Sequence, residues 1–414
     1  PLFKVKMKIA VIGGGAAGLM AAHAAAEGGA DVTLFERNEK CGKKIYITGK
    51  GRCNVTNDCD PQEYLTHVVR GGKFLTGAVY SFPPRSLMEY LERGGLKLKT
   101  ERGNRVFPES DKASDVTKCL EKYCRNAGVE FRFDEKVLKL RVLNSTMRGI
   151  ITENGEYFFD KVIVCTGGKS YPSTGSDGDG YKFAAMAGHN VIAPVPSLCG
   201  VNLKENYFKG MQGLSLKNVG LKVYIGGKLK KELFGEMQFT HFGASGPLVL
   251  TASALINREK NENVKLVLDF KPALSPEQLD ARILRDFTAE KNKDVSNCLK
   301  ALLPSSAILP VLQRCNIAPE KKVNSVTRGE RSALLTNIKN FDMLFLSLRG
   351  FEEAVVTSGG VDLKEIDPKT MESKLVKGLY FCGEVLDCDA FTGGFNLQIA
   401  FSTGYAAGRA AAKA

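Results

Sequence analysis

The chain has 414 residues, enough for two or three domains around a substantial core. Its charged fraction of 25% and hydrophobic fraction of 43% are ordinary for a globular, soluble protein. Eleven cysteines without a Cys-x-x-Cys pair and only four histidines exclude a disulfide framework and a multi-histidine metal site, so reduced thiols in a cytoplasm are expected.

The net charge of +13 is unevenly spread. Residues 195–350 hold 23 Lys plus Arg against 14 Asp plus Glu, a net of +9, whereas the remainder holds 35 against 31, a net of +4. A solvated basic face explains this blandly; attraction of an anionic substrate, RNA included, explains it more sharply.

Residues 8–36 read as a strand, a glycine turn, a helix and a second strand ending in an acid. Gly13, Gly15 and Gly18 fill the G-x-G-x-x-G positions, for a tight turn, for backbone approach to a pyrophosphate, and for close helix-to-strand packing. The helix beginning near Ala16 and Ala17 offers unpaired N–H groups to phosphates, and Glu36 is placed to accept hydrogen bonds from a ribose diol. Residues 9–26 are apolar enough to suggest a membrane span, but His23 and the three consecutive glycines argue against one.

The next stretch, 41–57, combines Gly42, Gly49 and Gly51 with Lys43, Lys44, Lys50 and Arg52 and a series of Thr and Asn donors. It reads as a second cofactor loop, because backbone N–H groups and cations converge readily on an anion. An amphipathic helix is expected over 110–127, capped by Ser110 or Asp111, then strands over 129–133, 137–142 and 149–159. Residues 161–168 form an apolar strand running into Thr166-Gly167-Gly168, the pattern of a parallel strand whose C-terminal edge meets a ligand. A helix follows over 181–187.

A domain boundary is read at 193–196. Residues 194–350 are expected to be an inserted substrate domain, with strands and hairpins to about 271 and helices separated by Pro304, Pro310 and Pro319 over about 272–340. Gly226-Gly227 marks a hairpin turn, and Ser275-Pro-Glu-Gln278 a capped helix start. The last segment, 351–414, returns to the first domain (1–193). It supplies a strand over 354–361, a strand ending in Gly383-Glu384, and a helix over 397–412. Two glycines before that last helix leave its N-terminus open to a carbonyl or anion such as the pyrimidine edge of a flavin. One fingerprint at the start and a Gly-Glu strand near the end suggest a single tightly held FAD gripped by both ends of the chain.

Several runs resemble the BaiN/YhiN-like, or aminoacetone-oxidase-like, FAD flavoproteins. They are Gly13-Gly-Gly-Ala-Ala-Gly-Leu19, Thr48-Gly-Lys-Gly-Arg-Cys-Asn-Val-Thr-Asn57, Gly168-Lys-Ser-Tyr-Pro172, Phe239-Thr-His-Phe-Gly-Ala-Ser-Gly-Pro247, Val356-Thr-Ser-Gly-Gly-Val361, Thr370-Met-Glu-Ser-Lys374, Gly383-Glu-Val-Leu-Asp387 and Thr392-Gly-Gly-Phe-Asn-Leu-Gln398. The resemblance implies an α/β fold: a glutathione-reductase-like Rossmann FAD domain with an inserted β-rich plus helical domain. It also implies flavin chemistry on an enone, a ribosomal RNA uridine or a small aminoketone. By position it places Glu36 and Arg37 at the adenosine, Val137 at the adenine, and Lys44, Thr48, Gly49, Gly51, Arg52, Cys53 and Asn54 at the pyrophosphate and flavin. Thr166, Gly167, Gly168, Gly383, Glu384 and Asp387 would line the cofactor, with Gly394, Phe395, Asn396 and Leu397 at the isoalloxazine.

The expected reaction is hydride transfer from FAD, itself reduced by an external donor such as NAD(P)H, to an electron-poor C=C. His241 and Cys53 are the candidate proton donors. The alternatives are an oxidase or reductase of a small metabolite, and a flavin-binding sensor without turnover.

Overall fold

The structure is a computed structural model that describes residues 6–204 and 207–413; the first five residues of the lead lie outside them. The chain forms two compact units, one from Pro1–Ser197 with Phe351–Ala414, the other from Leu198–Gly350.

The core of the first unit is a five-stranded parallel sheet in the order Leu379–Phe381, Lys161–Val164, Lys8–Ile12, Asp31–Phe35, Glu130–Arg132. Ile9, Ala10 and Val11 on the central strand, and Val162, Ile163 and Val164 beside them, have no solvent exposure. Such continuous apolar runs belong to strands covered on both faces. The helix Ala16–Glu27 follows the first strand, and the C-terminal helix Phe395–Ala411 lies against it. Small residues set that contact: a Cβ on Gly404 would stand 2.4 Å from the Ala17 carbonyl oxygen, and one on Gly408 2.3 Å from that of Ala21.

A three-stranded antiparallel meander, Val137–Leu143, Thr146–Thr152 and Gly155–Phe158, leads into the parallel strand at Lys161. A two-stranded ribbon pairs Val191–Ser197 with Val356–Val361. The proline-marked change of texture at 193–196 therefore falls inside a strand of the first unit, where a two-stranded ribbon tolerates Pro194 and Pro196.

The second unit holds a seven-stranded sheet and a group of helices around a separate core. The Gly226-Gly227 turn joins Ser215–Ile225 to Lys228–Phe239, and Ser275 with Gln278 forms a reciprocal capping box on Pro276–Ala289. A second capping box, Thr327 with Glu330 on Arg328–Lys339, escaped the sequence reading.

Several boundaries differ from the sequence reading. The stretch 41–57 is not all loop, since Lys43–Ile47 is helical and buries Ile45 in the core. The amphipathic helix is Ala113–Asn126 and begins at Lys112 without a side-chain cap, because Ser110 donates instead to the Asp115 carboxylate. The helix read over 181–187 starts at Asp179, and the last helix starts at Phe395 because Gly394 takes the left-handed conformation before it. Pro247–Ile256, within the region read as strands, is a helix opened by Gly246 and Pro247. Pro310 lies inside the helix Ser305–Arg314 rather than between helices, buried in a core whose packing outweighs one lost backbone hydrogen bond.

Candidate functional site

The three fingerprint glycines have separable roles. Gly13 has φ +102°, its N–H donates to the Phe35 carbonyl at 2.8 Å, and a Cβ there would meet the Cys165 oxygen at 2.6 Å. At Gly18 a Cβ would fall 1.8 Å from the Gly13 oxygen, so the helix could not sit this close to the turn with any larger residue. A Cβ on Gly15, the residue capping Ala16–Glu27, would meet nothing within 4 Å. Gly13 and Gly18 are thus required by the fold itself, whereas the fold leaves open space where a side chain on Gly15 would stand.

Glu36 ends the second strand and is buried. Its Oε2 accepts from the Gly14 N–H at 2.8 Å, and its Oε1 from the Asn38 N–H and Nδ2 at 2.8 and 2.7 Å. Burial raises its pKa against the pull of these hydrogen bonds. The carboxylate therefore braces the glycine turn while retaining lone pairs for a further donor. Arg37 beside it is engaged by Asp177 at 2.5 Å and Asp179 at 3.0 Å. Val137 opens the meander and is buried.

The segment Thr48 to Asn54 is a chain of left-handed residues. Gly49, Lys50, Gly51 and Cys53 have φ of 56°, 58°, 86° and 62°, with Arg52 right-handed between the last two. The turn closes on itself, with the Arg52 and Cys53 N–H groups donating to the Gly49 and Thr48 carbonyls at 3.3 and 3.0 Å. The side chain of Arg52 faces elsewhere: it forms a two-pronged contact with Glu101 at 2.8 and 3.3 Å and lies over the Phe107 ring. Cys53 has no exposure, and burial pushes its thiol up to about 12, so it stays protonated.

Lys44 joins the two ends of the chain. Its Nζ donates to Glu384 Oε2 at 2.7 Å and to Ser170 Oγ at 2.6 Å, while Glu384 Oε1 accepts from Ser170 Oγ and the Thr357 N–H. Gly168 lies over this network, where a Cβ would meet Thr357 Oγ1 at 2.4 Å. Gly167, with φ +71°, and Thr166 complete the edge of the parallel sheet. Gly383, with φ +78°, donates to Thr403 of the last helix, and Asp387 donates its N–H to Val361.

At the last helix, Gly394 packs so tightly that a Cβ would stand 2.3 Å from the Thr56 oxygen. The first-turn N–H groups of Phe395, Asn396 and Leu397 have no partner within the helix. The Phe395 carbonyl accepts from Tyr64 OH at 2.6 Å, and its ring is stacked on His67 at 4.3 Å. Asn396 bonds the Ala390 backbone through both ends of its amide.

The sequence reading missed Tyr64, Gln398 and the buried acid Asp389. Gln398 accepts from Thr56 and donates to the Phe82 carbonyl and Ser402. Asp389 has no exposure and accepts from Ser197 and Ser358, with Arg70 Nε 3.7 Å away. Burial raises its pKa to about 6 despite those partners. The signals were faint: an acid beside Cys388 in an apolar run, and serines far away in sequence. His241 lies in the other unit, exposed on the turn between Lys228–Phe239 and Gly243–Ser245.

The cradle suits a dinucleotide. Besides the open space at Gly15, Asn54 Oδ1 and Thr166 Oγ1, in two segments read from the sequence as cofactor-binding, are buried without a hydrogen-bond partner. Buried polar atoms left unpaired are costly, so a bound group is the natural source of their partners.

A parallel sheet with this glycine turn defines a Rossmann-type dinucleotide-binding protein, and comparison with known proteins narrows the class. The profile described as HI0933-like protein Rossmann domain matches residues 7–410, and the chain belongs to that family. It is 33% identical to the 3-dehydro-bile acid delta(4,6)-reductase of Clostridium scindens, over 98% of this chain and 99% of that one. It is 30% identical to the ribosomal RNA dihydrouridine synthase of Haemophilus influenzae, over 96% of each. The fold is also that of a 3-ketosteroid-delta4-(5alpha)-dehydrogenase from Rhodococcus jostii, with a TM-score of 0.55 at 15% identity over 100% of this chain and 98% of that one. The chain is an FAD-dependent oxidoreductase. Among the described residues no helix is long and apolar enough to cross a membrane.

Two tests follow from this geometry. Gly15→Ala is expected to change the stability of the FAD-free chain by at most about 1 kcal/mol, the scale of a helix cap, while weakening FAD binding more than tenfold in a fluorescence titration; unchanged affinity would remove Gly15 from the cofactor site. Folding raises the pKa of Asp389 from 3.8 to about 6, so its contribution to stability is fully present below about 3.8 and lost as pH rises through about 6. Relative to the parent chain, Asp389→Asn should gain on the order of 3 kcal/mol between pH 4 and pH 7 in urea unfolding. Parallel pH profiles would show an ordinary acid instead.

Proposed function

We propose that this chain reduces an electron-poor C=C in a uridine of structured RNA. The observation that carries the reading is the charge of the inserted unit, Leu198–Gly350. It holds 23 Lys plus Arg against 14 Asp plus Glu, a surplus of 23 − 14 = 9 in about a third of the chain. The identity with a relative named as a ribosomal RNA dihydrouridine synthase supports it. Bound FAD would supply the hydride, with NAD(P)H as its external reductant.

The chain's own residues divide the work. Gly13, Gly15, Ala16, Ala17 and Gly18 would hold the pyrophosphate on the helix N-terminus, and Glu36, Arg37 and Val137 would hold the adenosine end. Thr48, Gly49, Gly51, Cys53 and Asn54 would wrap the middle of the cofactor, while Lys44, through Glu384, ties that wrap to Gly168 and Gly383. The first-turn amides of Phe395–Ala411 would favour negative charge on a flavin bound at that helix end. A protein acid delivers the proton to the second carbon. His241 is the first candidate because its ring is exposed and able to meet a substrate; Cys53 is the second, because burial keeps its thiol protonated.

A second reading, reduction of a small enone metabolite, is favoured by the 33% identity with the bile acid reductase. Ionic strength separates the two. If about four phosphates are contacted, activity on ribosomal RNA below saturation should fall about tenfold for each doubling of salt, whereas turnover of a small enone should barely change. Dihydrouridine missing from the ribosomal RNA of cells lacking the gene would support the RNA reading, and unaltered nucleosides would end it.

The acid assignment has its own test. His241→Ala or Cys53→Ser should leave FAD bound and its reduction by NAD(P)H intact, yet slow reoxidation by substrate roughly 10²-fold. Normal reoxidation in both variants would dismiss the pair.

A further inference from the structure

In the inserted unit, the hairpin of Ser215–Ile225 and Lys228–Phe239 sets Phe234 opposite Gly220, Glu232 opposite Lys222, and Leu229 opposite Tyr224. The neighbouring strand Val264–Asp269 pairs with the first of these, placing Leu268 opposite Leu221 and Leu266 opposite Val223. Those four leucine and valine side chains are fully buried. Side chains alternate along a strand, so Lys222, Tyr224, Leu229, Glu232 and Phe234 share the face turned away from the core. Phe234 is 65% exposed and Leu229 51%. Lys230 is the extra residue at the irregularity between Lys231 and Leu229, and it is exposed together with Lys228 at the hairpin tip.

Single exposed apolar side chains are ordinary. Here a phenylalanine, a leucine and a half-buried tyrosine line one face of a basic unit, with Glu232 opposite Lys222 among them and the exposed Lys228 and Lys230 at the hairpin tip. Among the described residues none of Lys222, Lys228 and Lys230 is ion-paired, whereas Lys265 on the same face is held by Asp342 at 3.2 Å. Aromatic rings on an open sheet with unpaired cations beside them are the combination that takes up unstacked nucleotides: the rings stack on bases and the cations meet phosphates.

We propose that this face, from Phe234 and Tyr224 to Lys228 and Lys230 at the tip, is where the inserted unit grips an RNA substrate. The inference rests on the RNA reading above and adds the surface. No aromatic-interleaved binding motif is visible along the sequence, because Tyr224 and Phe234 become neighbours only through the antiparallel register.

The test compares FAD-loaded wild type with Phe234→Ala and with the double variant Lys228→Ala/Lys230→Ala, using protein-free ribosomal RNA as the probe and filter retention across a salt series. Phe234→Ala should weaken binding about tenfold at every salt concentration, the scale of one lost base stack. The double variant should reduce the slope of log K against log salt by about 1.4 to 1.8, corresponding to two lost phosphate contacts. Both should keep the wild-type flavin spectrum and reduction by NAD(P)H, since these side chains are exposed and belong to the second unit. Salt-dependent binding by wild type with both variants unchanged would overturn this surface and leave the RNA reading standing. A change in sedimentation without a change in RNA binding would assign the face to a second copy and overturn it too. No salt-dependent binding by wild type would sink the RNA reading and this surface with it.

Discussion

The first unit depends on one close contact between helices far apart in sequence. The fingerprint helix Ala16–Glu27 and the C-terminal helix Phe395–Ala411 approach until the backbone of Gly404 and Gly408 lies on the carbonyls of Ala17 and Ala21. Small residues along both helices permit it. Contact at this distance fixes where the C-terminal helix begins, and so fixes the amides of Phe395 to Leu397 relative to the glycine turn of the first strand. Gly383, whose Cβ would stand 2.8 Å from that of Ala17, fits into the same seam and carries Glu384 with it.

From that seam the polar parts follow. Glu384 is only partly exposed, and a carboxylate drawn away from water needs partners. Lys44, Ser170 and the Thr357 N–H satisfy it, and each comes from a different stretch of chain. The basic loop, the edge of the parallel sheet and the returning strand are thereby drawn around one cradle. Asp389 makes a comparable junction between Ser197 and Ser358, on the two strands of the ribbon of the first unit. Its raised pKa measures how much dehydration its partners leave uncompensated.

The inserted unit has its own core and sheet, so its surface is free to vary without disturbing the cradle. The relatives' names specify a bile acid in one case and ribosomal RNA in another. The surplus of lysine and the exposed hairpin face are the particular properties of this unit.

The sequence alone determined the Rossmann turn, the strands on either side of it, the helix cap at Ser275 and the segregation of positive charge. All of these are local patterns: glycine is needed where φ is positive or a neighbour is too near, and period and composition are written along the chain. Boundaries shifted where local and tertiary preferences competed, as at Lys43–Ile47 and Pro310. Tertiary structure alone decided which acids are paired. Arg52 turned to Glu101, Lys44 found Glu384 across 340 residues, and Asp389 was buried between two serines. It also brought Tyr224 and Phe234 onto one face. Pairing across such separations depends on which surfaces meet and how much water they exclude, and no window of sequence contains that information.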